Sequence, residues 1–487
     1  MRLDPIRREV SAKLDRKQRS ALGQFMTPTH VADFMAGLFP PIEKGNVRLL
    51  DAGAGIGSLS AAFLERWIRD GWGAGHVGVT AYEIDLVLRA RLADTLTHYA
   101  EAYPVTREIR DTDFIEDAVN RIQFQDAQRY THAILNPPYK KINSQSRHRH
   151  LLRQVGIETV NLYSAFVALA IALMQTGGQV VAIIPRSFCN GPYYRSFREF
   201  LLSRMAIRHM HLFDARDKAF QDDDVLQENI ILLLERGGDQ GDVMISTSTD
   251  DSFADYRVHA HPFSRIVLAN DPERFIHVPA GAALETSDLP DAFSHSLVDL
   301  GVEVSTGPVV DFRVKNDLCE LPEAGTVPLL YPTHFSGQTI EWPKVGGKKP
   351  NALRLNPETK KSLYPTGFYA VVRRFSSKEE KRRLVAALVS PESFESAYIG
   401  FENHLNVFHC AKQGLPEDLM RGLVAYLNSS MVDAYFRCFS GHTQVNATDL
   451  RRMRYPSSQT LKKLGRWEVK QERISQETLD KKILSLA

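Results

Sequence analysis

The sequence predicts a doubly wound α/β sheet followed by a second, mixed α+β domain. At 487 residues the chain is too long for one typical domain. From about residue 47 to residue 240, short apolar runs alternate with stretches of helical periodicity. Beyond them the alternation is lost, and residues 285–370 are rich in proline, glycine and short strand-like runs. Alternating strands and helices indicate a largely parallel sheet, which binds ligands at the carboxyl edge of its strands.

The elements of this sheet follow from the chain in order. A strand at Arg48–Asp51 leads into a glycine-rich turn and a helix at Ser58–Arg69, followed by a strand at Val77–Glu83 and a helix at Ile84–Ala102. A buried helix is predicted at Leu162–Met174. Further strands are predicted at Arg107–Ile109, Ala133–Leu135, Gln179–Ile184, His209–Phe213 and Asn229–Leu234. In the second domain, helical segments are predicted at 378–390 and 416–437.

Bulk properties exclude several protein classes. The net charge is only +2, so a polyanionic partner must be met by local basic patches. Leu162–Met174, the longest apolar stretch, is too short to span a bilayer, and the charged N-terminus is unlike a signal peptide. Widely spaced cysteines argue against a zinc site and for a reducing cytosol; they are Cys189, Cys319, Cys410 and Cys438. We therefore expect a cytoplasmic protein without a metal centre.

A glycine-rich motif, Asp51-Ala-Gly53-Ala-Gly55-Ile-Gly57, follows the first predicted strand. Glycines at such a turn let the backbone approach a ligand closely. The spacing differs from Gly-x-Gly-x-x-Gly, which disfavours a nicotinamide dinucleotide.

Carboxylates also end the next two strands. Glu83 can accept hydrogen bonds from both hydroxyls of a ribose, and Asp113 from an adenine amino group, with Phe114 packed on the ring. Each residue alone fits a strand-end turn or a helix cap equally well. The ordered series at successive strand ends favours a nucleoside-containing ligand.

The tetrapeptide Asn136-Pro137-Pro138-Tyr139 follows the apolar run Ala133–Leu135. An amide, two prolines and an aromatic ring at a strand end suit the binding of a flat base with an exocyclic amine, next to a methyl donor. Upstream, the segment Gly23–Pro28 precedes an amphipathic helix, and its Thr27 and Pro28 fit the N-cap and first position of that helix.

Together these motifs resemble the N6-adenine DNA methyltransferases of type II restriction-modification systems. The order, with Gly-Gln-Phe-x-Thr-Pro and the cofactor motifs before Asn-Pro-Pro-Tyr and a C-terminal domain behind, is similar to the gamma arrangement of the TaqI methylase. The resemblance covers roughly 23–240 and returns at 441–450. Asn-Pro-Pro-Tyr alone is shared with RNA and protein-glutamine methyltransferases.

The resemblance implies a Rossmann-like methyltransferase sheet that binds S-adenosylmethionine. The implied cofactor residues are Thr27, Asp51, Gly53, Glu83, Ile84, Asp113, Phe114 and Asn136. The target adenine would be flipped out of the duplex onto Tyr139, and its amino group would bond the Asn136 side-chain oxygen and the Pro137 carbonyl. By analogy Phe188 forms the far wall of this pocket, although a core phenylalanine explains it equally well.

Basic residues suggest where DNA passes. Lys140, Lys141, Arg147, His148, Arg149, His150 and Arg153 directly follow the tetrapeptide, and residues 341–383 hold twelve Lys/Arg against four acidic side chains. The segment 441–454 adds the candidate DNA contacts Gln444, Asn446 and Arg451. Solvated surface is the alternative for the basic runs, and a helix cap formed with Asp449 is the alternative for Asn446.

These interpretations divide the chain into a basic arm at 1–22, a methyltransferase domain at 23–285 and a target-recognition domain at 286–487. Residues 1–20 carry seven basic side chains against three acidic ones, which fits either a solvated helix or a DNA contact. The predicted function is sequence-specific methylation of adenine N6 in double-stranded DNA, protecting it from a restriction enzyme on a separate chain. The alternatives are an RNA or protein-glutamine N-methyltransferase, or a non-catalytic DNA-binding subunit of a defence complex.

Overall fold

The computed structural model of the protein describes residues 4–5, 7, 26–124, 129–213, 228–269, 271–278, 289–290, 292–376, 380–439, 444–471 and 474–486. The chain divides into two compact units, residues 1–281 and 282–487. Most of the predicted N-terminal arm lies outside the described residues. Within it, Arg7 is buried and forms an ion pair with Asp4 at 3.0 Å.

Unit 1 is built on a nine-stranded mixed sheet with the order β3-β2-β1-β4-β5-β7-β6-β8-β9. The strands are β1 Gly45–Ala52, β2 Ala74–Tyr82, β3 Val105–Arg110, β4 Tyr130–Leu135, β5 Met174–Pro185, β6 Met205–Phe213, β7 Asn229–Arg236, β8 Val243–Ser248 and β9 Arg257–His261. Strands β1 to β5 pair in parallel, whereas β7 pairs antiparallel to β5 and β6. The predicted doubly wound α/β class is confirmed.

Helices cover both faces of this sheet. They are α1 Thr29–Gly37, α2 Ser58–Arg69, α3 Leu86–Ala102, α4 Phe114–Gln123, α5 Arg147–Gln154, α6 Leu162–Leu173, α7 Arg195–Leu202 and α8 Phe263–Ile266. Apolar side chains of α1, α2 and α3 form one core with β1 and β2, and those of α4, α6 and α7 form a second core on the opposite face. The sheet is therefore covered on both faces by apolar helix surface.

The strand order fixes where a ligand site can form. From β1 the chain winds through β2 to β3 in one direction, and then returns to place β4 and β5 on the other side of β1. The loops after β1 and β4 therefore leave the sheet toward opposite faces and open a crevice at its carboxyl edge. The glycine-rich motif and Asn136 lie at these two strand ends.

Unit 2 contains a six-stranded sheet, β10-β20-β17-β18-β14-β13, and a five-stranded sheet, β11-β15-β12-β19-β16. Its strands are β10 Glu303–Thr306, β11 Leu318–Cys319, β12 Thr326–Leu330, β13 Phe335–Ser336, β14 Thr339–Ile340, β15 Ala352–Arg354, β16 Leu363–Pro365, β17 Tyr369–Arg373, β18 Ala386–Val389, β19 Tyr398–Phe401 and β20 Leu405–His409. Its helices are α9 Pro357–Lys360, α10 Glu417–Leu427, α11 Ser430–Phe439, α12 Ala447–Arg452, α13 Ser458–Glu468 and α14 Gln476–Leu484.

Helices α10 and α13 cross at two glycines. A Cβ atom on Gly422 would lie 1.9 Å from the Leu461 carbonyl oxygen, and one on Gly465 would lie 1.9 Å from that of Asp418. Only glycine therefore permits this close backbone approach, which buries the apolar face of α10.

The prediction of a helix at 378–390 is wrong within the described residues. Residues 386–389 form β18, which pairs antiparallel with β17. All four residues of β18 are buried, so the segment lacks the alternation that marks a half-exposed strand. A short apolar run of this kind cannot be distinguished from a buried helix by periodicity. The helical segment predicted at 416–437 is present as α10 and α11.

Three buried histidines predict how the stability of unit 1 depends on pH. Burial lowers the pKa of His132 and His209 to about 4 and that of His211 to about 3. These values lie below the ~6.5 of an unfolded histidine. The unfolded chain therefore binds more protons than the folded chain in mildly acidic solution. As a result, the free energy of unfolding decreases as the pH falls below about 6.5.

We expect His209→Gln to reduce the slope of unfolding free energy against pH by about 1.4 kcal/mol per pH unit between roughly pH 4.5 and 6. Glutamine can replace the 2.7 Å hydrogen bond between His209 Nε2 and the Ser246 hydroxyl. Urea unfolding at several pH values measures the slope, with the exposed His98→Gln as the control. An unchanged slope in His209→Gln would contradict the lowered pKa of His209 in the folded protein.

Candidate active site

The side chain of Asn136, directly after β4, is held from two sides. Its Nδ2 donates to the Thr27 hydroxyl at 3.0 Å, and its Oδ1 lies 3.2 Å from the donating Tyr139 hydroxyl. That hydroxyl also lies 3.1 Å from the Ile183 carbonyl, so one proton is shared between two acceptors. Burial raises the pKa of Tyr139, which keeps the hydroxyl a donor at neutral pH. The orientation of the amide is thereby fixed.

The two prolines set the path of the chain after Asn136. A residue before proline is confined to extended conformations, so Pro137 favours continuation of the β4 direction through Asn136. Pro137 is buried and Pro138 is half-buried. The ring of Tyr139 packs edge-on against Tyr163, with 6.1 Å between the ring centroids.

The glycine-rich loop after β1 uses backbone conformations that favour glycine. Gly53, Gly55 and Gly57 have φ angles of 80°, 59° and 87°. At Gly57, which precedes α2, a Cβ atom would also lie 2.9 Å from the Leu92 side chain. The loop therefore lies close against α3 and exposes backbone at the carboxyl edge of the sheet.

The Glu83 carboxylate joins the ends of β1 and β2. Its oxygens accept the Gly55 N–H at 2.9 Å and the Asp85 N–H at 2.8 Å. Each oxygen accepts one of these bonds and retains capacity for another. Burial raises the pKa of Glu83, and the backbone N–H groups partly offset this.

Asp113 caps α4 and contacts α5. Its Oδ1 accepts the N–H groups of Ile115 and Glu116, and its Oδ2 lies 3.1 Å from Nε2 of His148. Burial by itself would raise the pKa of Asp113, but the hydrogen bond and charge of His148 and the two N–H groups lower it overall. The carboxyl group is therefore ionised at neutral pH.

These groups surround a cavity of about 270 Å³ at the carboxyl edge of the sheet. The lining includes residues of the glycine-rich loop together with apolar side chains. The lining residues are Met26, Thr27, Gly53, Ala54, Gly55, Ile56, Ser58, Leu59, Tyr82, Glu83, Ile84, Leu88, Thr112, Asp113, Phe114, Ile115, Asn136, Pro138, Lys140, His148, Leu162 and Phe166.

Comparison with known proteins identifies the family. The model of the Eco57I restriction-modification methylase family matches residues 88–220. The type II methyltransferase M.BsuBI of Bacillus subtilis is 53% identical over 477 residues, covering 96% of this chain and 95% of the relative. The chain belongs to the type II methyltransferases of restriction-modification systems. The type II methyltransferase M.PstI of Providencia stuartii is 42% identical over 471 residues, covering 95% of this chain and 92% of the relative.

Two solved structures share the fold of this methyltransferase over nearly its whole length. The type IIL restriction-modification enzyme MmeI in complex with DNA has a TM-score of 0.52 at 12% identity, covering 99% of this chain and 73% of that chain. The DrdV–DNA complex has a TM-score of 0.50 at 13% identity, covering 96% of this chain and 59% of that chain. At these identities the likeness concerns the fold alone.

Most of the residues predicted to bind the methyltransferase's cofactor line the cavity. They are Thr27, Gly53, Glu83, Ile84, Asp113, Phe114 and Asn136, and Pro138 of the tetrapeptide lines it as well. Pro137 and Tyr139 are not among the lining residues, although the Tyr139 hydroxyl bonds the lining residue Asn136. The structure thus brings together, around one cavity, motifs that are spread over more than 100 residues of sequence.

Asp51 and Phe188 lie elsewhere. Asp51 is fully buried, accepts the Ser60 hydroxyl at 2.6 Å and does not line the cavity. Burial raises its pKa to about 7. Its bond to Ser60 ties the end of β1 to α2, so it shapes the glycine-rich loop from behind. Phe188 is a core residue that packs edge-on against Phe197.

The cavity also contains residues that the motifs did not reveal. Phe166 and Leu162 lie one turn apart on α6, and Phe166 packs against Phe114 with ring centroids 5.0 Å apart. The spacing of these two residues on a helix after the tetrapeptide could have indicated a shared face. His148 was predicted only as part of a basic run, because its contact with Asp113 spans 35 residues of sequence.

The basic run after the tetrapeptide is partly neutralised inside unit 1. Lys140 is exposed and lines the cavity mouth, and Lys141 is exposed beside it. Arg147 is 76% exposed and lies 3.0 Å from Glu116. Arg149 and Arg153 both pair with a single carboxylate, that of Glu158.

The candidate DNA contacts of unit 2 have defined surroundings. The Asp449 carboxylate accepts the backbone and side-chain N–H groups of Asn446, so Asn446 caps α12. Arg451 is exposed and lies 3.3 Å from the Val304 carbonyl, and Gln444 forms a β-bridge with Phe375. Within the basic segment 341–383, Arg383 is fully buried and is therefore no surface contact.

The His148–Asp113 contact predicts a measurable titration. The hydrogen bond from His148 to Asp113 is the main cause that raises the pKa of His148 above its usual value, with burial acting against it. We expect Asp113→Asn to lower the pKa of this imidazole, because the neutral amide no longer favours the protonated ring. Two-dimensional NMR of the histidine side chains measures it.

Glu116→Gln provides the matched control, since Glu116 acts on His148 only by its charge. Its effect on the pKa of His148 is expected to be the smaller one. Equal effects of the two variants would refute a direct hydrogen bond between His148 and Asp113.

Proposed function

We propose that this methyltransferase transfers a methyl group from S-adenosylmethionine to N6 of adenine within a specific sequence of double-stranded DNA. The observation that carries the proposal is the oriented amide of Asn136 beside a nucleoside-sized cavity. The high identity to type II methyltransferases over the whole chain supports it.

The cavity fits S-adenosylmethionine by its set of acceptors and apolar walls. The Glu83 oxygens retain lone pairs for two ribose hydroxyls, and Asp113 Oδ2 is an acceptor for the adenine amino group. Ile84, Phe114 and Phe166 supply apolar surface for a flat base. The glycine-rich loop leaves room for backbone contact with the methionine part. When bound, S-adenosylmethionine supplies an electrophilic methyl group on a sulfonium centre.

Asn136 would act on the amino group of the target adenine. The lone pair of that amino nitrogen is delocalised into the ring, which makes it a weak nucleophile. Acceptance of its two hydrogens by Asn136 Oδ1 and the Pro137 carbonyl favours a more tetrahedral, nucleophilic nitrogen. A neutral amide does this without the desolvation cost of a buried carboxylate. The amino nitrogen would take up the methyl group as the bond between that group and sulfur breaks, and would then lose one proton to solvent. No dedicated base is therefore required, and the contribution of Asn136 is orientation and electrostatics.

Access to the amino group requires the adenine to leave the helix stack, at a cost of about a few kcal/mol. We infer that Tyr139 stacks on the flipped base and that its hydroxyl, now 3.2 Å from Asn136 Oδ1, yields this acceptor to the incoming amino group. The Thr27 bond to Nδ2 would continue to hold the amide during this exchange.

Unit 2 is proposed as the target-recognition domain, in keeping with the assignment of 286–487. Lys140, Lys141 and Arg147 next to the cavity, and Gln444 and Arg451 in unit 2, are the proposed DNA contacts. The basic arm at 1–22 would add to DNA affinity. A restriction endonuclease on a separate chain is the proposed partner, and the cytoplasm the proposed location.

Incubation of the purified protein with labelled S-adenosylmethionine and DNA, RNA or protein tests the substrate class. We expect label in DNA, released as N6-methyladenine after nuclease digestion. Label in RNA or protein alone would favour the second enzyme class. Binding of DNA without any transfer would favour a non-catalytic subunit.

Asn136→Ala is expected to lower the methyl-transfer rate on DNA by about 100-fold or more, the loss typical for one oxyanion-type contact in an active site. Cofactor affinity should remain largely intact, because Glu83 and Asp113 are unchanged. Single-turnover rates and calorimetric binding of S-adenosylhomocysteine measure the two effects.

Thr27→Val should cause a smaller loss of about 5- to 10-fold, because it removes one neutral hydrogen bond to the amide. The exposed Asn143→Ala is the matched control and should behave as wild type. Transfer by Asn136→Ala at the wild-type rate would eliminate the proposed mechanism.

A further inference from the structure

The chain passes from one sheet of unit 2 to the other at the corner Glu402–His404. β19, before the corner, belongs to the five-stranded sheet, and β20, after it, belongs to the six-stranded sheet. Backbone hydrogen bonds of 2.8 to 3.0 Å tie the corner to the neighbouring segments at Val309, Leu330 and Arg374. Side chains on this corner are therefore presented from a rigid base.

A buried carboxylate orients one exposed imidazole at the corner. Glu402 has no exposed surface, and its oxygens accept the Nδ1–H group of His404 at 2.5 Å and the His404 backbone N–H at 2.9 Å. Taking a carboxylate out of water costs several kcal/mol unless it is well paired. Both oxygens of Glu402 serve a residue whose side chain is 43% exposed. This arrangement fixes which nitrogen of His404 faces outward.

Two further side chains extend this surface. The ring of Phe375 is 42% exposed and its centroid lies 5.1 Å from that of His404. Gln444 forms an antiparallel bridge with Phe375. The buried Asn406 holds the same segment in place, because its Nδ2 donates to the Val445 carbonyl at 2.7 Å. His404, Phe375 and Gln444 thus come from three different segments and meet on one surface, which we call the corner surface.

The charge around the corner surface suits a nucleic acid. The Arg374 guanidinium donates to the Asn403 carbonyl at 3.1 Å and lies 6.0 Å from the Phe375 ring centroid. Asp311, which lies near His404, is paired with Lys349 at 3.0 Å. Because Lys349 neutralises Asp311 and Arg374 lies nearby, phosphate groups would meet no strong repulsion from these residues.

We propose that the corner surface reads base edges in the major groove of the target DNA, an inference that rests on the proposed function. With Nδ1–H directed at Glu402, Nε2 is the ring nitrogen that faces outward, and without a proton it accepts a hydrogen bond. In the major groove it would then meet the amino group of adenine or cytosine. Gln444 carries the donor and acceptor that match adenine, and Phe375 supplies apolar surface for a thymine methyl group.

The test is modification mapping of genomic DNA from cells that express the full chain or single variants of it. The wild type defines the modified sequence. His404→Ala, Gln444→Ala and Phe375→Ala are each expected to relax discrimination at one base pair of that sequence by about 10-fold or more. Glu402→Gln should relax the same position as His404→Ala, because both hydrogen bonds of the Glu402 carboxylate go to His404 and orient its imidazole.

Matched controls are the exposed Gln471→Ala and Leu484→Ala, which lie on other segments of unit 2. They should leave the modified sequence unchanged. Thermal unfolding of each variant separates loss of folding from loss of discrimination.

The possible results separate cleanly. Relaxation confined to single positions supports the corner surface as a base reader. Unchanged discrimination in the folded His404, Gln444 and Phe375 variants overturns it, and so does an equal loss of modification at all sites. Absence of any DNA modification by the wild type would instead overturn the proposed function, and the present inference with it.

Discussion

The hydrogen bonds that hold the Asn136 amide between Thr27 and Tyr139 are the interaction on which the active site depends. An unrestrained amide can present either its oxygen or its nitrogen to a ligand, and only the oxygen can accept from an amino group. Thr27 lies just before α1 and Tyr139 just after the two prolines, so the restraint exists only when both loops are in place. The strand order brings the loop after β4 to the same edge of the sheet as the glycine-rich loop after β1. The Thr27 loop is positioned by α1, which packs in one core with α2, β1 and β2.

Much of the site could be predicted from sequence because its residues follow strands that end at this edge of the sheet. Glu83, Asp113 and Asn136 each follow a strand, and parallel strands bring such residues together regardless of their separation in the chain. The sequence therefore predicted the motifs that surround the cavity. It did not predict the direction of each side chain: Asp51 is buried and bonds Ser60 instead of lining the cavity. Nor did it predict the pairing of His148 with Asp113, which depends on how α5 packs against α4.

Charge was the least informative sequence signal, because ion pairing and burial change what a basic residue does. Arg149 and Arg153 are held by Glu158, and Arg383 is buried in unit 2. A count of lysines and arginines over 140–153 or 341–383 cannot distinguish these residues from free surface residues. The corner surface shows the opposite case, since Glu402, the residue that orients its imidazole, is acidic and fully buried. Its value lies in the orientation that it gives to His404.

The central claim is that the oxygen of Asn136 accepts the amino group of the target base. The most direct measurement is a crystal structure of the full chain with its target DNA and an unreactive cofactor analogue. We expect the amino nitrogen of a flipped adenine at about 2.7 to 3.2 Å from Asn136 Oδ1, with Nδ2 still bonded to Thr27. A flipped base whose amino group is bound by other residues, with the Asn136 oxygen still on Tyr139, would contradict the account.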